Sequence, residues 1–138
     1  MLHFTRTAKY ICFLGLAVFI IFNISSCKSS SSPVKFDGVY EHKGTDTFYY
    51  LRFYDDGSVI SVSSTGTPEQ IAKWFNKDYN DVSKGTYTVT GTHIKFSTTD
   101  SHGTVDYDGE IQNDHLALKS FSHINSFAGN EDYVFMEN

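Results

Sequence analysis

The sequence predicts an all-β fold, an eight-stranded up-and-down antiparallel barrel with one short helix between strands 3 and 4. Three observations carry this. From Phe36 onward the chain is rich in Tyr, Phe, Thr, Val and Gly, and its short apolar–polar alternations are separated by turn residues. Hairpin turns placed at favoured dipeptides bring apolar residues opposite one another. A single segment, after the third alternation, has helical spacing in place of period two.

The candidate strands read GVYEHK, TFYYLRFYD, SVISVSS, GTYTVT, HIKFST, TVDYDGEIQ, HLALKSFSH and DYVFME. A turn at Gly44-Thr45 sets Tyr40 opposite Tyr49. A two-residue turn at Asp56-Gly57 sets Phe53 opposite Ile60 and Leu51 opposite Val62, all four inward. Gly91-Thr92 pairs Val89 with Ile94 and Tyr87 with Phe96. Asn113-Asp114 pairs Ile111 with Leu116 on one face and Asp108 with Lys119 on the other. Side chains alternate faces along a strand, so these registers define an inner set. Tyr40, Tyr49, Phe53, Tyr87, Phe96, Tyr107, Tyr133 and Phe135 belong to it, and they are bulky enough to fill an eight-stranded interior.

The helix is read in GTPEQIAKWFNK. Thr67 is its N-cap, Pro68 its first residue, and Gln70 completes a capping-box pattern. Ile71, Trp74 and Phe75 share one face, which either seals an end of the barrel or acts as a lid over a ligand cavity. On the second strand, Arg52 points outward between Tyr50 and Tyr54. Cation–π packing accounts for that, and the stripe is also rich in the residue types that anchor partner interfaces.

The chain opens differently. Arg6 and Lys9 precede about fifteen mostly apolar residues, Tyr10 to Ile24, and small residues follow, the layout of a secretory signal. The run falls short of the roughly 20 apolar residues that a membrane-spanning helix needs. It ends in Ile24-Ser25-Ser26-Cys27, which resembles the bacterial lipobox. The resemblance implies cleavage before Cys27 and acylation of that cysteine, making residues 1–26 a lipoprotein signal peptide. One acyl chain anchors only marginally, so two or three are needed for stable retention. Residues 27–35 then comprise the lipidated cysteine and a solvated spacer with four consecutive serines, and residues 36–138 form the barrel domain. The address implied is the bacterial cell envelope. Lys28 in place of an inner-membrane retention Asp points to the outer membrane.

Charge and chemistry narrow the function. From Phe36 onward there are seven Lys and Arg against sixteen Asp and Glu, a balance of −9, which repels phosphate backbones and argues against nucleic acid. Cys12 leaves with the signal and Cys27 is lipidated, so no disulfide is expected in the barrel. Asp106, Asp108 and Glu110 alternate along one strand, spaced too far apart for one calcium ion, and read as a solvated outer face. The exported histidines, His42, His93, His102, His115 and His123, lack zinc-site spacing. Neither a nucleophile-elbow pattern nor a specific pair of catalytic acids stands out, so neither enzymatic activity, metal nor cofactor is expected.

Phe36-Asp37-Gly38-Val39-Tyr40 resembles the opening strand of lipocalins and fatty-acid-binding proteins, where Gly-x-Trp starts the barrel and the aromatic plugs its base. Tyr40 stands in the tryptophan's place. With eight strands and a lipobox, the exported part is similar to bacterial lipocalin-like lipoproteins. Two functions follow from that resemblance and the composition. One is a tethered protein-interaction module with a self-filled barrel, which the aromatic content favours. The other is a carrier of a small apolar ligand. The residues singled out for either are Ile71, Trp74, Phe75, Tyr50, Arg52 and Tyr54. A cavity of at least about 300 Å³ would distinguish the carrier from the module.

Overall fold

Alternating β-branched, aromatic and polar residues give each strand an inward and an outward row, and here eight such strands close on themselves. The computed structural model describes residues 34–137; the signal segment, Cys27 and the spacer up to Pro33 lie outside the described residues. The strands are β1 (Gly38–Lys43), β2 (Phe48–Phe53), β3 (Ser58–Ser64), β4 (Ser83–Thr90), β5 (His93–Asp100), β6 (Gly103–Gln112), β7 (His115–Ser122) and β8 (Ala128–Glu137). Each pairs antiparallel with the next, and β8 pairs with β1 to close the barrel. A short helix, α1 (Pro68–Ile71), continues as a 3-10 turn over Ala72–Phe75, between β3 and β4. The fold class and the helix position are as the sequence predicts.

Up-and-down order gives the barrel two unlike ends. The turns after β2, β4 and β6 lie at one end, where the chain also enters at Val34. That end is packed shut. Phe53 makes edge-on ring contacts with Tyr40, Tyr87 and Phe96 at centroid distances of 5.6, 5.1 and 5.3 Å. Such pairs contribute about 0.5–1.5 kcal/mol each beyond their buried area. Tyr40 is fully buried and its hydroxyl accepts the Lys35 N–H at 3.0 Å. The Lys35 ammonium lies 4.7 Å over the Phe135 ring and pairs with Asp114 of the β6–β7 turn. Inward Gly85 and Gly109 allow tight coiling: a Cβ there would stand 1.7 Å from the Ser97 carbonyl oxygen and 2.0 Å from that of Ala117.

Two hairpins keep the predicted register. Val89 faces Ile94, Tyr87 faces Phe96, Ile111 faces Leu116 and Asp108 lies opposite Lys119. The first hairpin is shifted by two residues, so Tyr40 faces Leu51 and Tyr49 faces His42. A shift of two leaves every side chain on its face. The second hairpin is shifted by one. Its loop is Asp55-Asp56-Gly57, with Gly57 left-handed at φ +84, so Gly57 is the third residue of a three-residue turn and not the second of two. Phe53 therefore faces Val59, and Ile60 and Val62 point out of the barrel, opposite Arg52 and Tyr50.

That outward apolar row explains where the helix goes. β5 and β7 alternate strictly between buried and exposed, as a wall wet on one side does. β1, β2 and β3 carry adjacent buried residues because both of their faces are covered. Ile71 and Phe75 pack with Val39, Tyr50, Ile60 and Val62 in a cluster separate from the barrel core. The helix thus covers the outer wall and does not plug the end, correcting the expectation that it seals or covers the interior. Its start is held by the Thr67 N–H donating to Gln70 Oε1 at 2.9 Å and by the Thr67 hydroxyl donating to Glu69. Trp74 is only half-buried, at the margin of this cluster.

Burial ranks the two aromatics of the helix. Phe75→Ala is expected to cost about 3–5 kcal/mol, as for a large buried aromatic, and Trp74→Ala only about 1–2 kcal/mol. Urea unfolding of both variants checks the order. Equal losses would show that the indole, too, is core.

Candidate functional site

At the end opposite Val34 the inward rows change character. On β3 the residues after Val59 that point inward are Ser61 and Ser63; on β7, after Leu118, they are Ser120 and Ser122. Thr98 on β5 and Ser83 on β4 join them. Short hydroxylated side chains leave space where aromatics fill the other half. The result is a cavity of about 670 Å³ that opens among the loops at this end. An eight-stranded barrel has room either for its own side chains or for one small ligand, and this one divides its interior between the two.

The wall mixes polar and apolar groups from its floor to its mouth, where Asp81, Asp100, Ser122 and Asn125 stand beside the exposed rings. Deepest is a hydrogen-bonded group on β6, β7 and β8. Glu131 is the acid that β8 points inward; it accepts the Ser120 hydroxyl at 2.8 Å and the Tyr133 hydroxyl at 2.9 Å. Burial pushes the Tyr107 phenol up and holds the Tyr133 phenol well above its ordinary value, so both stay protonated donors at neutral pH. Tyr107 Oη lies near Ser61, Thr98 and Tyr133, yet Thr98 Oγ1 makes no hydrogen bond of ordinary geometry although Thr98 is 0% exposed. At the mouth stand Tyr49, Trp74, Tyr79, Ile124 and Phe127, the last two 53% and 58% exposed.

Of the residues singled out by sequence, only Trp74 borders this cavity. Ile71 and Phe75 are buried on the outer wall, and Tyr50 lies beneath them with its hydroxyl donating to the Gly66 carbonyl at 2.9 Å. Tyr54 is half-buried, with Arg52 5.6 Å and Lys77 4.4 Å from its ring and its hydroxyl bonded to the Phe75 carbonyl. Much of the Tyr50–Arg52–Tyr54 stripe is therefore covered by the protein's own helix. The residues sequence reasoning passed over are Glu131, Ser120, Thr98 and Ser61; Tyr133 was placed inside the barrel, but as filling. Correct strand registers were the signal that would have brought them together.

The outer acids are matched locally. His123 Nε2 lies 2.7 Å from Asp106, and His93 lies 3.5 Å from Asp108 and 3.2 Å from Glu110. Asp108 faces Lys119 across the ladder, but its ion partners are Lys95, at 3.8 Å, and His93. Asp106 is held below its ordinary pKa first by the His123 hydrogen bond and then by Ser97. Compared with family models, curated proteins and solved structures, the chain matches none.

The β2–β3 turn supplies a pH test. Lys77 and then Ser58 hold Asp56 down to about 2 from an ordinary 3.8. A depressed folded-state value means that this contribution to stability is complete above 3.8 and is lost as pH falls through about 2. Asp56→Asn is expected to lower Tm at neutral pH and to flatten the acid decline, so that the two Tm curves converge toward about pH 2. Parallel curves would show that the pair adds nothing.

Proposed function

We propose that this chain is an exported, lipid-anchored, lipocalin-like binding protein without enzymatic activity, and that it holds a small ligand in the open half of its barrel. The observation that carries this reading is the cavity of about 670 Å³, well above the roughly 300 Å³ from which small-molecule sites begin. The aromatic content, which favours a self-filled interaction module, accounts for only one end of the interior. The ligand differs from the apolar one expected from sequence, because hydroxyls and a carboxylate line the depth of the cup.

Cavity binding is tested by thermal shift with a panel of small polar compounds, comparing the parent with Ser120→Trp, which fills the cup. At least one compound should raise the parent's Tm and leave the filled variant unchanged. A panel that shifts neither, or both alike, would sink the reading. The anchor is tested by Cys27→Ser, which should move the protein from the detergent phase to the aqueous phase. An unchanged partition would show that the cysteine is not the anchor.

A further inference from the structure

We propose that the cup takes an organic ammonium ion, bound head-first with Glu131 as its counter-ion and its apolar tail against the rings at the mouth. This deepens the reading of the cup as a ligand site and rests on it. Glu131 uses one acceptor position on each carboxylate oxygen, for Ser120 and for Tyr133. A carboxylate has about four such positions, so one on each oxygen remains for a ligand donor. Protonated Tyr133 holds the carboxylate from one side and cannot supply the missing positive charge.

The surroundings carry the same sign. Asp81 and Asp100 also line the cavity, and among the described residues no lysine, arginine or histidine does. Asp100 is engaged already, its Oδ1 accepting the N–H groups of His102 at 2.7 Å and Gly103 at 3.3 Å. Glu131 is thus the carboxylate of the inner wall with acceptor positions to spare, and the nearest base, His42, packs on Tyr49 and Tyr133 at 5.9 and 5.4 Å. A barrel domain with a balance of −9 adds a field that concentrates cations in a low-dielectric cleft. The space itself points to a ligand in the same place: a cavity of about 670 Å³ adjoins the hydrogen-bonded Ser120–Glu131–Tyr133 group.

Chemistry selects among occupants. An anion would meet three carboxylates and no cation. A divalent metal needs several charged or imidazole ligands, and among the described residues no group of three or more His, Cys, Asp or Glu could hold one. A neutral polyol satisfies the hydroxyls but leaves the Glu131 charge uncompensated. An ammonium group supplies both charge and N–H donors, which makes the strong, charge-assisted kind of hydrogen bond. The mouth then suits a hydrocarbon or aromatic tail, since Trp74, Tyr79, Ile124 and Phe127 stand there.

Calorimetric titration of the full-length protein in detergent tests this with amines and their alcohol isosteres: tyramine and tyrosol, phenethylamine and 2-phenylethanol, hexylamine and hexanol. At least one amine should bind about tenfold or more tighter than its alcohol, and Glu131→Gln should erase most of that difference. Should the variant misfold, raising salt from about 20 to 500 mM on the parent must weaken the amine and spare the alcohol. Alcohols or a monosaccharide binding as well as the amines, with Ser120→Trp abolishing both, would overturn the ammonium assignment and leave the cup as a ligand site. If none of these compounds and none of the wider panel binds, both readings fall.

Discussion

The constraint on which the rest depends is the three-residue turn Asp55-Asp56-Gly57. Gly57 at φ +84 closes it, a conformation that other residues adopt only with strain. The turn fixes Phe53 opposite Val59, and from that pair every residue of β3 takes its face. Val59 enters the core. Ile60 and Val62 go outside, and Ser61 and Ser63 line the interior near the mouth. One register shorter, the barrel would contain Ile60 and Val62, its outer wall would be serine, and the helix would have nothing to cover. A single backbone conformation thus links the helix, the outer cluster and the polarity of the cup.

The two halves of the barrel divide the physical work. The closed half is aromatic and self-complementary, with Phe53 at the centre of three edge-on contacts. The open half holds small hydroxylated side chains and a half-satisfied carboxylate. Polar groups of that kind add little to stability and cost some when they lack a partner. The outer cluster under the helix offsets this. It supplies a second apolar core on the same three strands, and burying one large apolar side chain contributes about 1.5–3 kcal/mol. A domain without a disulfide can carry a polar cup because its apolar contacts are concentrated elsewhere.

Much of this was legible in the sequence. Strand number, order and closure follow from alternation and turn spacing, and Gly91 and Asn113 mark their hairpins correctly because each occupies the left-handed first position of a two-residue turn. Asp56-Gly57 carries the same dipeptide signal yet forms a different turn. The dipeptide does not say which loop length the neighbouring strands will select, and a shift of one residue inverts the faces. The helix signal was sound for its start, through Thr67, Pro68 and Gln70. Its destination was not legible, since that depended on where Ile60 and Val62 pointed. Lys35, which lies over the Phe135 ring at the barrel base, comes from the entering segment and so falls outside the strand pattern altogether.

Glu131 shows why site residues were harder to read than strands. In DYVFME and the residues before it, an acid beside Asp132 looks like another member of a solvated acidic surface. Only the ladder with β7 separates the two. Glu131 lies opposite Leu118 and shares its inward face; Asp132 lies opposite Ala117 and points out, toward His115 at 3.1 Å. Sixteen acids in the chain make any one of them uninformative by composition. Position on an alternating strand turns one of them into the single carboxylate hydrogen-bonded deep in the cup, while its neighbour remains an exposed ion-pair partner. Chemical meaning here is carried by parity along the strand, and parity is set by the turns.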